Sequence, residues 1–262
     1  TPTNPFGLTQ VQDYDGEMAE ATLSLDHNLV DAIHHHARQL SVSPGVLFHV
    51  AWAQVLAQIS DSSDVIFGSV LLGRLQGFTG ADRVMGMFVN TLPLRIPLNN
   101  RSVLDIINST NNELLSLLEH EQAPLALAQR CSSVAPPIPL FSTLLNYRRT
   151  QANTAATTWE GMTLLAESRR TTYPFNFSVD DQGDSIEILS QTIADVDPAR
   201  IARYLETALR GLVDALESDL QSPILSVSLI LAVERHTRQV DFNVTDVELS
   251  QTRIYHLYYQ QF

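Results

Sequence analysis

At 262 residues the chain has room for one large domain or two small ones, and 44% apolar against 17% charged residues suits a protein that buries a real core. A net charge of −13 excludes the basic surface that phosphate neutralisation requires, so nucleic-acid binding is set aside. All 16 basic residues are Arg, which removes Schiff-base lysines, phosphate-loop lysines and Ser-x-x-Lys pairs together.

The opening Thr1-Pro2-Thr3-Asn4-Pro5 lacks the basic and apolar regions of a signal peptide and reads as linker or a cut. Residues 19–25 alternate, with Ala21, Leu23 and Leu25 on one side, as a half-buried strand does. Asp26 then caps a helix whose Leu29, Val30, Ile33, Ala37 and Leu40 form one stripe. Ser43 as cap and Pro44 in the first turn start a second helix, apolar nearly all round from Val46 to Ile59 with only His49, Gln54 and Gln58 breaking the surface, and therefore largely buried. Residues 65–72 form a continuous apolar run, the pattern of a strand covered on both faces. A polar stretch from Gly73 to Arg83 precedes a strand expected over 86–96. Ser102 and Asp105 open a helix running to about Glu119.

Prolines at 136, 137 and 139 make 131–139 an irregular loop, which places Cys131 in a loop as well. That single cysteine has no disulfide partner, which points to a reducing cytoplasm. Strands are expected at 141–148 and 162–168. Phe175, Phe177 and Val179 then form a hairpin with 185–189 across an Asp-Gly turn. Asp197-Pro198 opens the clearest helix, carried by Ile201, Leu205, Ala208, Leu209, Leu212 and Leu216. After Ser222-Pro223 the pattern decays. The order implies an α/β fold with a mixed sheet and flanking helices. No apolar stretch reaches the roughly eighteen residues that span a bilayer.

Residues 85–95, Met-Gly-Met-Phe-Val-Asn-Thr-Leu-Pro-Leu-Arg, carry the most chemistry. Asn90 and Thr91 interrupt an apolar run and must find partners. Two readings stand: a strand end pinned by side-chain hydrogen bonds, or a polar floor beneath a cleft. His34-His35-His36 does not make a metal site, because consecutive helical residues point about 100° apart and pairs at i and i+4 are needed. His34 and His36 flank the apolar stripe and His35 faces water.

Together with Val65-Ile66-Phe67-Gly68-Ser69-Val70-Leu71-Leu72-Gly73-Arg74 and Pro139-Leu140-Phe141-Ser142-Thr143-Leu144-Leu145-Asn146-Tyr147-Arg148, this stretch resembles the C-terminal half of nonribosomal peptide synthetase condensation domains. The resemblance runs over 5–220 and weakly through Val240-Asp241-Phe242-Asn243. It implies one lobe of a two-lobed, chloramphenicol-acetyltransferase-like fold. Residues 1–14 become a linker or crossover from an absent N-terminal lobe, 15–220 the C-terminal lobe, and 221–262 a linker toward an adenylation domain.

The implied function is amide formation between acyl or peptidyl and aminoacyl thioesters, both held on phosphopantetheine arms of donor and acceptor carrier domains. No cofactor or metal is bound directly. The family's His-His-x-x-x-Asp-Gly motif lies in the other lobe. Asp15-Gly16 lacks a His at the required spacing, and Leu40 and Ser41 stand where His35-His36 would need Asp and Gly. No catalytic residue is therefore expected here, and the lobe alone is expected to be inactive. Gly73, Arg74, Gly86, Asn90, Thr91, Arg95 and Asn146 become floor-loop, tunnel and cleft residues by resemblance. Arg74 is assigned an inter-lobe ion pair and Arg95 the shaping of the floor, with a surface salt bridge the alternative for each.

Leu72 replaces the family's Ser before Gly-Arg, and Cys131 to Pro137 replaces an Arg-Asp-x-Ser-Arg element. A non-catalytic carrier-docking module, an epimerization-domain lobe and a free-standing acyltransferase are the alternatives weighed. Arg148-Arg149 and Arg169-Arg170 are local positive spots on an acidic chain. A lobe that abuts another should also self-associate when isolated.

Overall fold

The computed structural model describes residues 2–8, 18–74, 80, 83–150, 171–227, 229, 237 and 240. The chain divides into two compact units, Thr1–Leu229 and Ile230–Phe262. The first unit holds the sheet.

Its elements in chain order are β1 (Met18–Ser24), α1 (His27–Gln39), α2 (Pro44–Ser60), β2 (Asp64–Leu71), β3 (Asn90–Pro97), α3 (Val103–Glu119), α4 (Leu125–Cys131), β4 (Thr143–Arg149), β5 (Phe175–Asp181), β6 (Ile186–Ile193) and α5 (Pro198–Ser218). Three of the four caps read from sequence form side-chain hydrogen bonds, whereas Ser43 stands at the N-cap of α2 without one and Pro44 alone sets that first turn. The side chains of Asp26, Ser102 and Asp197 accept from the backbone N–H groups of Leu29, Asp105 and Ala199, satisfying first-turn donors of α1, α3 and α5.

The six strands make one mixed sheet in the order β1-β6-β5-β4-β2-β3. β4 runs parallel to β5 and to β2, and the other neighbours are antiparallel. The β2–β4 seam is narrow, paired only at Gly68 with Leu144 and Ser69 with Leu145. Thr3 bridges it. Its hydroxyl accepts from the Ile66 N–H at 2.7 Å, and its carbonyl accepts from the Ser142 hydroxyl at 3.1 Å. Residues 2–8 are thus tied into the sheet rather than trailing from it, with Pro5 buried and Phe6 against Phe175.

α2, α3 and α5 pack on one sheet face. α2 is buried nearly all round, with His49 and Gln54 inside rather than at the surface, and the Trp52 ring packs tilted against Phe177 with ring centroids 4.3 Å apart. Each fully buried side chain of this size contributes about 1.5–3 kcal/mol. On the opposite face Leu140, Phe141 and Leu144 form a smaller cluster with Ile66, Leu125 and Tyr173.

Several boundaries differ from the sequence reading. β3 starts at Asn90 rather than 86, and Cys131 ends the short helix α4 rather than lying in a loop. Residues 221–227 belong to the packed unit: Ile224 is buried, and its N–H donates to the Arg101 carbonyl. The expected strand at 162–168 lies outside the described residues, as do 9–14 and most of Gly73 to Arg83. No single described helix is long and apolar enough to cross a membrane.

Candidate functional site

Gly73, Arg74, Gly86 and Asn90 converge where β2 ends and β3 begins. Gly73 has φ +71°, and a Cβ there would stand 1.7 Å from the Phe88 carbonyl oxygen, so only glycine fits. Its own carbonyl accepts from the Gln122 amide at 2.5 Å. The Arg74 guanidinium donates to the carbonyls of Val84 at 2.7 Å and Gly86 at 3.4 Å, and lies 4.3 Å from the centre of the Phe88 ring. Arg74 therefore folds the 84–88 segment back on itself.

Both amide hydrogens of Asn90 are engaged, to the carbonyls of Glu121 at 2.9 Å and Ala123 at 2.8 Å. Its Oδ1 accepts from the Thr91 N–H at 2.9 Å. These contacts are those of a pinned strand end. Gln122 and Asn90 thus hold the 120–123 turn against both sides of the β2–β3 connection. Between them Met85, Met87 and Val89 project outward, with Met85 96% exposed.

Thr91 and Asn146 lie elsewhere on the sheet but share a face. Tyr147 points to α2, where its ring meets Phe48, so its neighbour Asn146 points the other way, with Leu144. Gly68 keeps that face flat. A Cβ there would come within 2.4 Å of Leu144, 2.5 Å of Phe141 and 2.8 Å of Thr91. Arg95 stands apart in a forked ion pair with Asp64, 2.7 Å at its shortest, and that pair holds the Asp64 carboxyl below its usual range. Arg148 is likewise paired, with Asp180 at 2.6 Å. Arg169 and Arg170 lie outside the described residues.

Two buried polar clusters were not legible in the sequence. His49 Nδ1 lies 2.6 Å from the Gly45 carbonyl, and Nε2 lies 2.8 Å from the Ser69 hydroxyl. Burial pushes this imidazole down to about 4, so it is neutral. Nδ1 then donates to Gly45 and Nε2 accepts from Ser69. The pair has the spacing of a serine–histidine dyad but is buried, with His49 5% and Ser69 1% exposed.

The second cluster joins α1, β4 and β5. His34 Nε2 lies 3.0 Å from Asp181 Oδ2, the Tyr147 hydroxyl donates to the same oxygen, and the Gly183 N–H donates to Oδ1 at 2.8 Å. Side-chain exposure is 10% for His34 and 0% for Asp181, which makes the trio an interior clasp. Burial alone would raise the Asp181 carboxyl, but the Tyr147, His34 and Gly183 hydrogen bonds outweigh it and hold the group below the usual range. Burial, then the bond to Asp181, pushes the Tyr147 phenol up. His34 and Asp181 are 147 residues apart, and no local pattern announces such a pair. His34 and His36 are buried and His35 is exposed, as the helical stripe requires. No group of three or more metal-ligating side chains occurs among the described residues.

A family model described as the condensation domain matches residues 5–236. Malpibaldin synthetase of Mortierella alpina is 43% identical over 247 residues, which is 94% of this chain but 4% of that protein's length. Among solved structures, the condensation domain from the Monacolin K polyketide synthase MokA superposes with a TM-score of 0.62 at 20% identity, covering 78% of this chain and 48% of that one. The X-domain in its complex with OxyB from teicoplanin biosynthesis gives 0.61 at 17% identity, with coverages of 82% and 49%.

Proposed function

The chain belongs to the condensation-domain family, and on that premise we propose that it is the C-terminal half of an amide-forming condensation domain whose proton-handling histidine is furnished by the other half. The extent of the likeness carries the reading: the chain accounts for 48% of the condensation domain from the Monacolin K polyketide synthase and 49% of the X-domain from teicoplanin biosynthesis. The histidines agree with it. His34 and His49 are built into the interior, each held by a buried hydrogen bond.

On this reading the acceptor amine attacks the donor thioester, the C–N bond forms, the C–S bond breaks, and the amine's proton passes to the imidazole of the other half. Phosphopantetheine arms of donor and acceptor carrier domains deliver the two thioesters, and an adenylation domain follows. The Gly73, Arg74, Gly86 and Asn90 cluster supports a rigid edge at 84–89 whose exposed methionines meet the other half. Thr91 and Asn146 lie on the flat sheet face and serve as wall. Arg95, held by Asp64, fixes the outer strand rather than touching substrate.

The test supplies the N-terminal half in trans with two loaded carriers and follows amide product by mass spectrometry. Product is expected from the mixture and none from this chain alone. Turnover by the lone chain overturns the proposal.

A second reading is a docking module without chemistry, favoured by the superposition on a domain whose structure is that of a complex with another protein. Under it the halves associate and bind carriers but yield no amide.

A further inference from the structure

Apart from the family's chemistry, a cavity of about 350 Å³ opens at the C-terminal end of α2, lined by Gln54, Ala57, Asp61, Ile224, Val227 and Leu229 among others. Gln54 is only 3% exposed. Its amide donates to the Ile224 carbonyl at 2.9 Å, which fixes the orientation of the carboxamide. The remaining acceptor, Oε1, has no hydrogen-bond partner. Asp61 closes α2 with φ +49° and places a carboxylate beside the helix's negative end. Among the described residues no cation pairs with it.

One side of the cavity therefore carries the Asp61 carboxylate, and the other is aliphatic, from Ile224, Val227 and Leu229. A hard metal ion does not suit a lining with one carboxylate and no cluster of metal-ligating groups. A cationic head on a methylene stem suits both walls. We propose that this cavity binds an alkylguanidinium or alkylammonium group, its head on the Asp61 carboxylate at the negative end of α2 and its stem on the aliphatic wall. Either a free amphipathic amine or the arginine or lysine side chain of a partner carries that chemistry.

Agmatine is titrated into the full chain by calorimetry, beside butan-1-ol and the peptide acetyl-Gly-Arg-Gly-amide. Agmatine is expected to bind, Asp61→Asn to weaken it at least tenfold, and Asp184→Asn, in the β5–β6 turn, to leave it unchanged. Asparagine tolerates the left-handed conformation at 61, so loss of fold does not confuse the result. Peptide binding equal to agmatine assigns the site to a partner's side chain, and binding of agmatine alone assigns it to a free amine. Binding indifferent to Asp61→Asn, or butan-1-ol held as tightly as agmatine, overturns the proposal.

Discussion

Asp181 accepts hydrogen bonds from an imidazole, a phenol and a backbone N–H, so removing its carboxylate strands three donors in the interior. Asp181→Ala is expected to lower stability by about 2–4 kcal/mol, and Tyr147→Phe by about 1–2, read from urea unfolding. His49 sets a pH dependence of its own. Its folded pKa, near 4, lies below the unfolded value of 6.5, so the unfolded chain binds more protons between them. Its contribution is full above about pH 6.5 and is lost as the pH falls toward 4, at about 1.4 kcal/mol per unit. Unfolding midpoints measured across that window should show a shallower slope in His49→Gln.

Residues 84–90 behave as one element because Arg74 holds the carbonyls of 84 and 86, Asn90 is pinned to 121 and 123, and Gln122 ties Gly73 alongside. Gly73→Ala drives a methyl into the Phe88 carbonyl and is expected to cost about 1–3 kcal/mol. Hydrogen exchange should then rise at 84–91 before it rises in α2. The same contacts explain what the sequence concealed. Caps at Asp26, Ser43, Ser102 and Asp197 made four helices readable, since each side chain or proline acts on its own turn. The 86–89 stretch looks like strand by its apolar residues. Yet the Arg74 guanidinium takes the carbonyls of 84 and 86 out of any ladder, a contact that spacing does not reveal. For the same reason Asn90 was visible as a polar interruption, while its partners at 121 and 123 were not. α4 escaped because seven residues after Pro124 carry too little period to read.

At the scale of the molecule, the family and the α/β architecture were legible from three motifs in order, whereas the interior clusters depended on long-range folding. The outward methionines at 85 and 87, with Leu72 and Val89, give this unit an apolar edge on an otherwise acidic protein. Light scattering is expected to show mass rising with concentration, and Met85→Ser with Met87→Ser to return it toward monomer. A mass independent of concentration in the unaltered chain counts against that edge as a contact surface.

Where β2 and β4 meet, the sheet is scarcely one fabric: two pairs of residues join them, and Thr3 is stitched to both margins. Tension applied at Thr3 therefore reaches the two halves of the sheet together. Pulling this end in a single-molecule force experiment should part that seam first, well before the helices leave the β1-β6-β5-β4 side.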